Sequence, residues 1–215
     1  DPLVFMFDEP TAGMSVDEAP VVLDLIAELK QETDRTILLV SVSSFCAYSL
    51  FVFFNSWMPT YATEVIGVTT GTAGTLTALL PAMGLLARPG GGWLSDRIGH
   101  RRRPVIFLAF AMVVPALVIA SVATSVLVFV AALVLAGIGS QLGTGVFYVY
   151  VDELSSPESG GTSLAVLLTL SMTGSLVAPV TTGWLIDVVS WTAAFGFGGI
   201  LAVIGIVAVI RLPEP

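Results

Sequence analysis

"GGWLSDRIGHRRRP", residues 91–104, places four arginines within seven positions of a chain that holds only eight basic residues. Long apolar runs flank it, and neither residues 65–87 nor residues 104–151 contain a charge. Basic residues gathered between two such runs mark a loop that joins two membrane-crossing helices and rests on one side of the bilayer.

Composition extends that reading to most of the chain. Of 215 residues, 55% are hydrophobic and 11% charged, with a mean hydropathy of +0.95. Soluble domains carry about 25% charged residues, so lipid is the expected solvent. Further charge-free stretches cover residues 36–63, 159–186 and 188–210. A helix needs about 20 apolar residues to cross the hydrocarbon layer. Residues 104–151 therefore hold two spans, with "SVATS" (121–125) as the turn. The six spans are predicted at 38–59, 70–94, 104–121, 126–149, 161–186 and 191–210. Backbone groups in lipid must bond within their own segment, which makes these helices rather than strands of an open sheet. One cysteine, Cys46, and one histidine, His100, argue against a disulfide framework or a structural zinc site. Neither metal nor cofactor is expected. No basic surface of the kind that nucleic acid requires is evident.

Orientation follows from Arg97, Arg101, Arg102 and Arg103, together with Arg211 after the last span. All fall on one side of a six-span chain, and the positive-inside rule puts that side in the cytoplasm. Both termini join them there, so the expected location is the plasma (inner) membrane. Residues 1–40 carry nine acids against Lys30 and Arg35, an acidic head on a nearly neutral body. The chain opens on Asp1-Pro2 without a basic n-region, which is expected of a piece of something longer.

The body contains a repeat. Gly84, Pro89 and then Gly92-Trp93-Leu94-x-Asp96 in span two match Gly174, Pro179 and Gly183-Trp184-Leu185-x-Asp187 in span five. The two spans hold corresponding places in two groups of three, yet cross in opposite directions. That is the signature of a three-plus-three inverted repeat, although tryptophan near a helix end is also ordinary interfacial anchoring.

The opening stretch resembles the loop signature of the major facilitator superfamily, Gly-x-x-x-Asp-Arg-x-Gly followed by basic residues. Here it reads Gly92, Asp96, Arg97 and Gly99, then Arg101, Arg102 and Arg103, with His100 where the family more often has a basic residue. The resemblance covers residues 41–215, through "WMPTYATEVIG" and "SWTAAFGFGGI". It implies an all-α six-helix bundle, one half of a twelve-span porter that moves a small-molecule solute by alternating access. The chain stops after six spans, its fourth span lacks an arginine, and "RLPEP" reads as a short tail. These features fit the second half. The expected partners are therefore the lipid bilayer, the solute, and either the missing six-helix half or a second copy. A remnant without transport activity is the rival reading. In the family the arginine loop latches two halves together; a plain topology anchor is the alternative.

The residues give the same loop a physical logic. Gly92 would let a neighbouring helix approach closely. Asp96 would accept from the free N–H groups of a helix start. The arginines would lie among lipid headgroups, and His100 would be solvated. Proline can kink spans two, three and five at Pro81, Pro115 and Pro179.

First and fourth spans line the cavity in the family. On span one Ser41, Ser44, Tyr48 and Asn55 share a stripe, and on span four Gln141, Thr144 and Tyr148 do so. Polar groups within a membrane point to a bundle interior or a water-filled path; bonding between helices is the alternative. No acid stands near the middle of a span, since Glu64, Asp96, Asp152, Glu153 and Asp187 all fall at ends. Arg88 either snorkels to the surface or meets an anionic substrate.

Residues 1–40 resemble an ATP-binding-cassette ATPase serving branched-chain amino acid import. The resemblance implies a strand at Leu3–Phe7, Asp8 on magnesium's water, Glu9 on the attacking water, and a helix capped by Ser15. No Gly-x-x-x-x-Gly-Lys-Ser/Thr loop cradles a phosphate anywhere in the chain, so Asp8 and Glu9 form an inactive remnant and no enzymatic activity is expected. "TILLV" (36–40), stripped of its sheet, should join span one as helix or stay without fixed structure.

Overall fold

The computed structural model describes residues 19–156 and 159–213, with side chains from residue 34 onward. The Asp8-Glu9 pair, the Leu3–Phe7 strand and the Ser15 cap lie outside the described residues. Eight α-helices follow in order: α1 (Ala19–Tyr61), α2 (Thr70–Thr77), α3 (Leu79–Arg97), α4 (Arg103–Ser121), α5 (Val126–Leu142), α6 (Thr144–Leu154), α7 (Gly160–Val188) and α8 (Trp191–Ile210). A π-helical turn, Ala62–Ile66, closes α1 and ends at Gly67, whose φ of 80° reverses the chain. No strand occurs among the described residues.

These helices make six membrane-crossing segments: Asp34–Ile66, Thr70–Arg97, Arg103–Ser121, Val126–Leu154, Gly160–Val188 and Trp191–Ile210. Their number agrees with the sequence reading, while spans one and four run further than predicted. "TILLV" is helix within α1, the first of the two outcomes expected for it. Local chemistry sets several boundaries. The hydroxyls of Thr69, Ser125 and Ser190 each accept a backbone N–H from the first turn of the helix that follows, the ordinary N-cap arrangement.

Two spans are broken. Span two divides at Ala78, three residues before Pro81. The proline ring supplies no N–H for the Thr77 carbonyl and crowds the turn before it. Span four divides at Gly143, between α5 and α6. Pro115 and Pro179, by contrast, sit inside unbroken helices. The Trp57 indole donates to the Pro179 carbonyl at 3.2 Å, a bond that ties span one to span five beside the proline.

Packing follows the inverted repeat. Span five lies along span one as span two lies along span four, and span six meets span one as span three meets span four. Spans three and six, which the repeat exchanges, pack on each other. The paired glycines sit at the equivalent crossings. A Cβ on Gly84 would stand 3.0 Å from the Gln141 amide, and one on Gly174 would stand 2.5 Å from the Phe45 carbonyl. At the end opposite the arginine loop an aromatic cluster closes the bundle. Tyr61 meets Trp191 at 5.0 Å and Phe195 at 5.2 Å, both edge to face, a favoured geometry for ring quadrupoles.

One expectation about the loop glycines is corrected. Close helix approach belongs to Gly91, where a Cβ would collide with the Leu142 carbonyl, and not to Gly92, around which there is open space. Lipid gives helices little apolar reward for associating, so such backbone contacts carry the packing. Gly91→Ala is therefore expected to cost about 1–3 kcal/mol through overpacking, read as a lower melting temperature in detergent. Gly92→Ala should leave that temperature nearly unchanged.

Candidate functional site

A polar layer crosses the bundle where spans one, two and four converge. The Tyr48 hydroxyl, from α1, bonds the Tyr148 hydroxyl, from α6, at 2.8 Å. Beside them Arg88, from α3, donates its Nε–H to the Gln141 side-chain oxygen, at the end of α5, at 2.9 Å. Gln141 is 2% exposed, whereas Arg88 is exposed. Its position lies nine residues before Arg97, about 13 Å along the helix.

A cleft of about 660 Å³ enters between α6 and α7 from the arginine-loop end, with Tyr148 in its wall and Asp152, Ser155, Ser156 and Gly160 along its sides. Tyr148 thus joins the wall of this cleft to Tyr48 of the first span.

Of the five cavity candidates, Tyr48 and Tyr148 are brought together, and Gln141 is paired with Arg88. The other two are in neither pair. Asn55 donates to the Phe51 carbonyl of its own helix at 2.8 Å. Thr144 turns back to the Ser140 carbonyl at 3.4 Å, across the break at Gly143. Ser41 and Ser44, on the same sequence stripe, are buried. Ser41 bonds its own helix at Ile37, and Ser44 pairs with Ser171 of span five at 2.6 Å. For Ser44, bonding between helices is the alternative that the structure shows. The Arg88 guanidinium donates to Gln141. Sequence reading noticed both residues, but no spacing rule joins positions on different helices.

The arginine loop forms a second polar centre, built differently from expectation. Arg102 is 5% exposed, not spread among headgroups. Its Nε and Nη2 donate to the two Glu153 oxygens at 3.1 and 2.7 Å, a bidentate fork. Its Nη1 donates to the Ser95 hydroxyl at 2.8 Å and to Asp96 at 3.1 Å. Asp96 therefore receives the Arg102 guanidinium and, at 3.3 Å, the His100 ring, in place of the helix start expected for it. Glu153 raises the Arg102 pKa above its ordinary value against the opposing effect of burial, and Asp96 adds to the rise. The turn itself uses left-handed backbone at Gly99 (φ 83°) and His100 (φ 61°), a conformation that costs a non-glycine residue about 1–2 kcal/mol. Arg97 stacks over the exposed Trp93 ring at 5.0 Å, a cation–π contact. No cluster of metal-ligating side chains occurs among the described residues.

Six spans in an inverted repeat, with a polar layer between them, define a multi-pass membrane protein of the kind in which substrate sites lie at repeat interfaces. The sequence profile of the Major Facilitator Superfamily matches residues 4–215, and the chain belongs to that family. The match starts well ahead of residue 41, where the sequence reading set its boundary. The hexuronate transporter of Bacillus subtilis is 25% identical over 236 residues, covering 99% of this chain and 54% of that protein. A probable nitrate/nitrite transporter of Mycobacterium tuberculosis is 48% identical over 59 residues, 27% of this chain and 15% of that protein. The chain thus spans about half the length of the relative that it matches throughout. Among solved structures, a peptide transporter crystallised with sulfate superposes with a TM-score of 0.74 at 16% identity, covering 82% of this chain and 37% of that one. At that identity the likeness concerns the fold.

Removing the buried fork should be costly. Arg102→Ala is expected to lower stability by about 2 kcal/mol, since it strands charged hydrogen-bond partners. Arg97→Ala, at the exposed ring contact, should change it little. Thermal unfolding of the two variants in the same detergent separates them.

Proposed function

We propose that the chain forms one six-span half of a secondary transporter that moves a small oxyanion by alternating access, rather than an enzyme. The observation that carries this reading is Arg88. Among the described residues it is the one cation set well inside a span, and an ionisable group at that depth marks a substrate path. No carboxylate of the described residues bonds it. Two relatives are named for oxyanions, a hexuronate and nitrate/nitrite, and a guanidinium fork matches such groups.

The partner in this proposal is a second six-helix bundle, either a separate half or another copy. Spans two and five are the natural faces for it, because they leave Leu85, Leu86, Leu176 and Val180 exposed. The arginine loop and both termini lie in the cytoplasm in this reading, by the positive-inside rule. The part of residues 1–40 that precedes the first membrane-crossing helix would then be cytoplasmic, with an ATPase-like origin and no nucleotide chemistry, since a phosphate cradle is lacking. A chain left by truncation or fusion, with no transport of its own, is the outcome that the following measurement separates.

Uptake of labelled nitrate and glucuronate into proteoliposomes tests the proposal. Arg88→Gln is expected to reduce the rate at least tenfold, about 1.4 kcal/mol of recognition, while Arg88→Lys keeps part of it. Flux by the lone chain would identify a working homodimer; flux only with an added six-span partner would identify a half. Equal rates for the native and Arg88→Gln chains would sink the oxyanion reading. Orientation has its own check: Cys46 is buried, so a cysteine introduced by His100→Cys should react with an impermeant maleimide only from the cytoplasmic face.

A further inference from the structure

Arg88 has five N–H donors arranged in a fork, and the way it is held decides which of them a ligand can use. Gln141 takes the Nε–H at 2.9 Å. Among the described residues this is the hydrogen bond that Arg88 makes, and its side chain is exposed, so Nη1 and Nη2 are left available to a ligand. A neutral amide orients the guanidinium without cancelling its charge. A carboxylate at the same place would hold it equally well and neutralise it.

Gln141 is itself held in place by a space. It is almost fully buried, and its side-chain carbons and amide nitrogen lie 3.0–3.3 Å from where a Cβ on Gly84 would stand. Gly84 sits one helical turn before Arg88 on the same face of span two. The absent side chain at Gly84 thus creates the seat for Gln141, which in turn fixes Arg88. The three residues form a chain of support across two helices.

We infer that Gln141 and Gly84 are positioning residues that turn the Nη1–Nη2 edge of Arg88 toward a bound oxyanion while leaving its positive charge whole. This deepens the oxyanion reading above and rests on it. Recognition would be bidentate, two parallel N–H···O bonds to one carboxylate or nitrate group. No bond is made or broken, and no proton moves.

The test uses the full chain in nanodiscs, with arginine side chains labelled at Nε and titrated with sodium nitrate and with sodium glucuronate. Arg88→Lys identifies the Arg88 signal by its loss. In the native chain the Nε–H should be protected from exchange and stay protected as either anion saturates. Gln141→Leu should remove that protection and weaken both anions by about threefold to tenfold, the worth of one modest hydrogen bond. Gly84→Ala should do the same by unseating Gln141. The double variant should be no worse than the weaker single one, because both act through one contact. Gln141→Glu should keep the Nε–H protected yet abolish anion binding, an outcome that a purely structural role would not produce. Thermal unfolding confirms that each variant is folded.

If Gln141→Leu and Gly84→Ala bind both anions as the native chain does, the positioning role is overturned. The oxyanion reading survives that result provided Arg88→Gln still loses binding. If the native and Arg88→Gln chains are indistinguishable toward both anions, both readings fall.

Discussion

Helices immersed in lipid gain little by hiding apolar side chains from one another, because the solvent is as apolar as they are. What brings six spans together here is close approach at glycine, to a neighbour's backbone or to its side chain. Gly91 lies against the Leu142 carbonyl, Gly174 against the Phe45 carbonyl, and Gly205 against the Phe110 ring. Any side chain at these points would part the helices. Every polar contact across the bundle depends on this spacing, including the tyrosine pair, the Arg88–Gln141 bond and the Ser44–Ser171 bond.

The two polar centres divide the work of a membrane protein differently. At the loop, Arg102 is buried and its charge is answered by Glu153 and Asp96, so the centre is electrically closed and fixes three elements to each other. Within span two, Arg88 is exposed and oriented by an uncharged partner, so that centre stays electrically open. A buried cation with acid partners is a fastening; a cation with an amide partner retains its attraction for anions.

Much of the architecture was legible in the sequence because a bilayer enforces a simple rule. Charge-free runs of sufficient length must be helices, and six of them followed directly. The inverted repeat could be read from Gly84, Pro89, Gly174 and Pro179, whose spacing survives the change of direction. Boundaries were harder, since helices continue past the hydrocarbon layer, as Leu154 shows at the end of span four. The site was legible only by type. Polar stripes on spans one and four named Tyr48, Gln141 and Tyr148, but the same stripes named Asn55, Ser41 and Ser44, which bond elsewhere. Periodicity assigns a face and not a neighbour. The role of Arg102 was hidden for a related reason: among adjacent arginines, burial depends on the left-handed turn at Gly99 and His100, which sequence alone does not fix.

Unbroken α1 extends from Ala19 to Tyr61, 43 residues, or about 65 Å of rod. Its charged residues, Asp24 to Arg35, all precede the apolar run that begins at Thr36, so about 25 Å of helix projects ahead of that run. With no hinge between the two parts, span one and its projection are a lever. Any small change in the tilt of Tyr48's helix is magnified at Ala19, and a load applied there is returned to the tyrosine pair as torque.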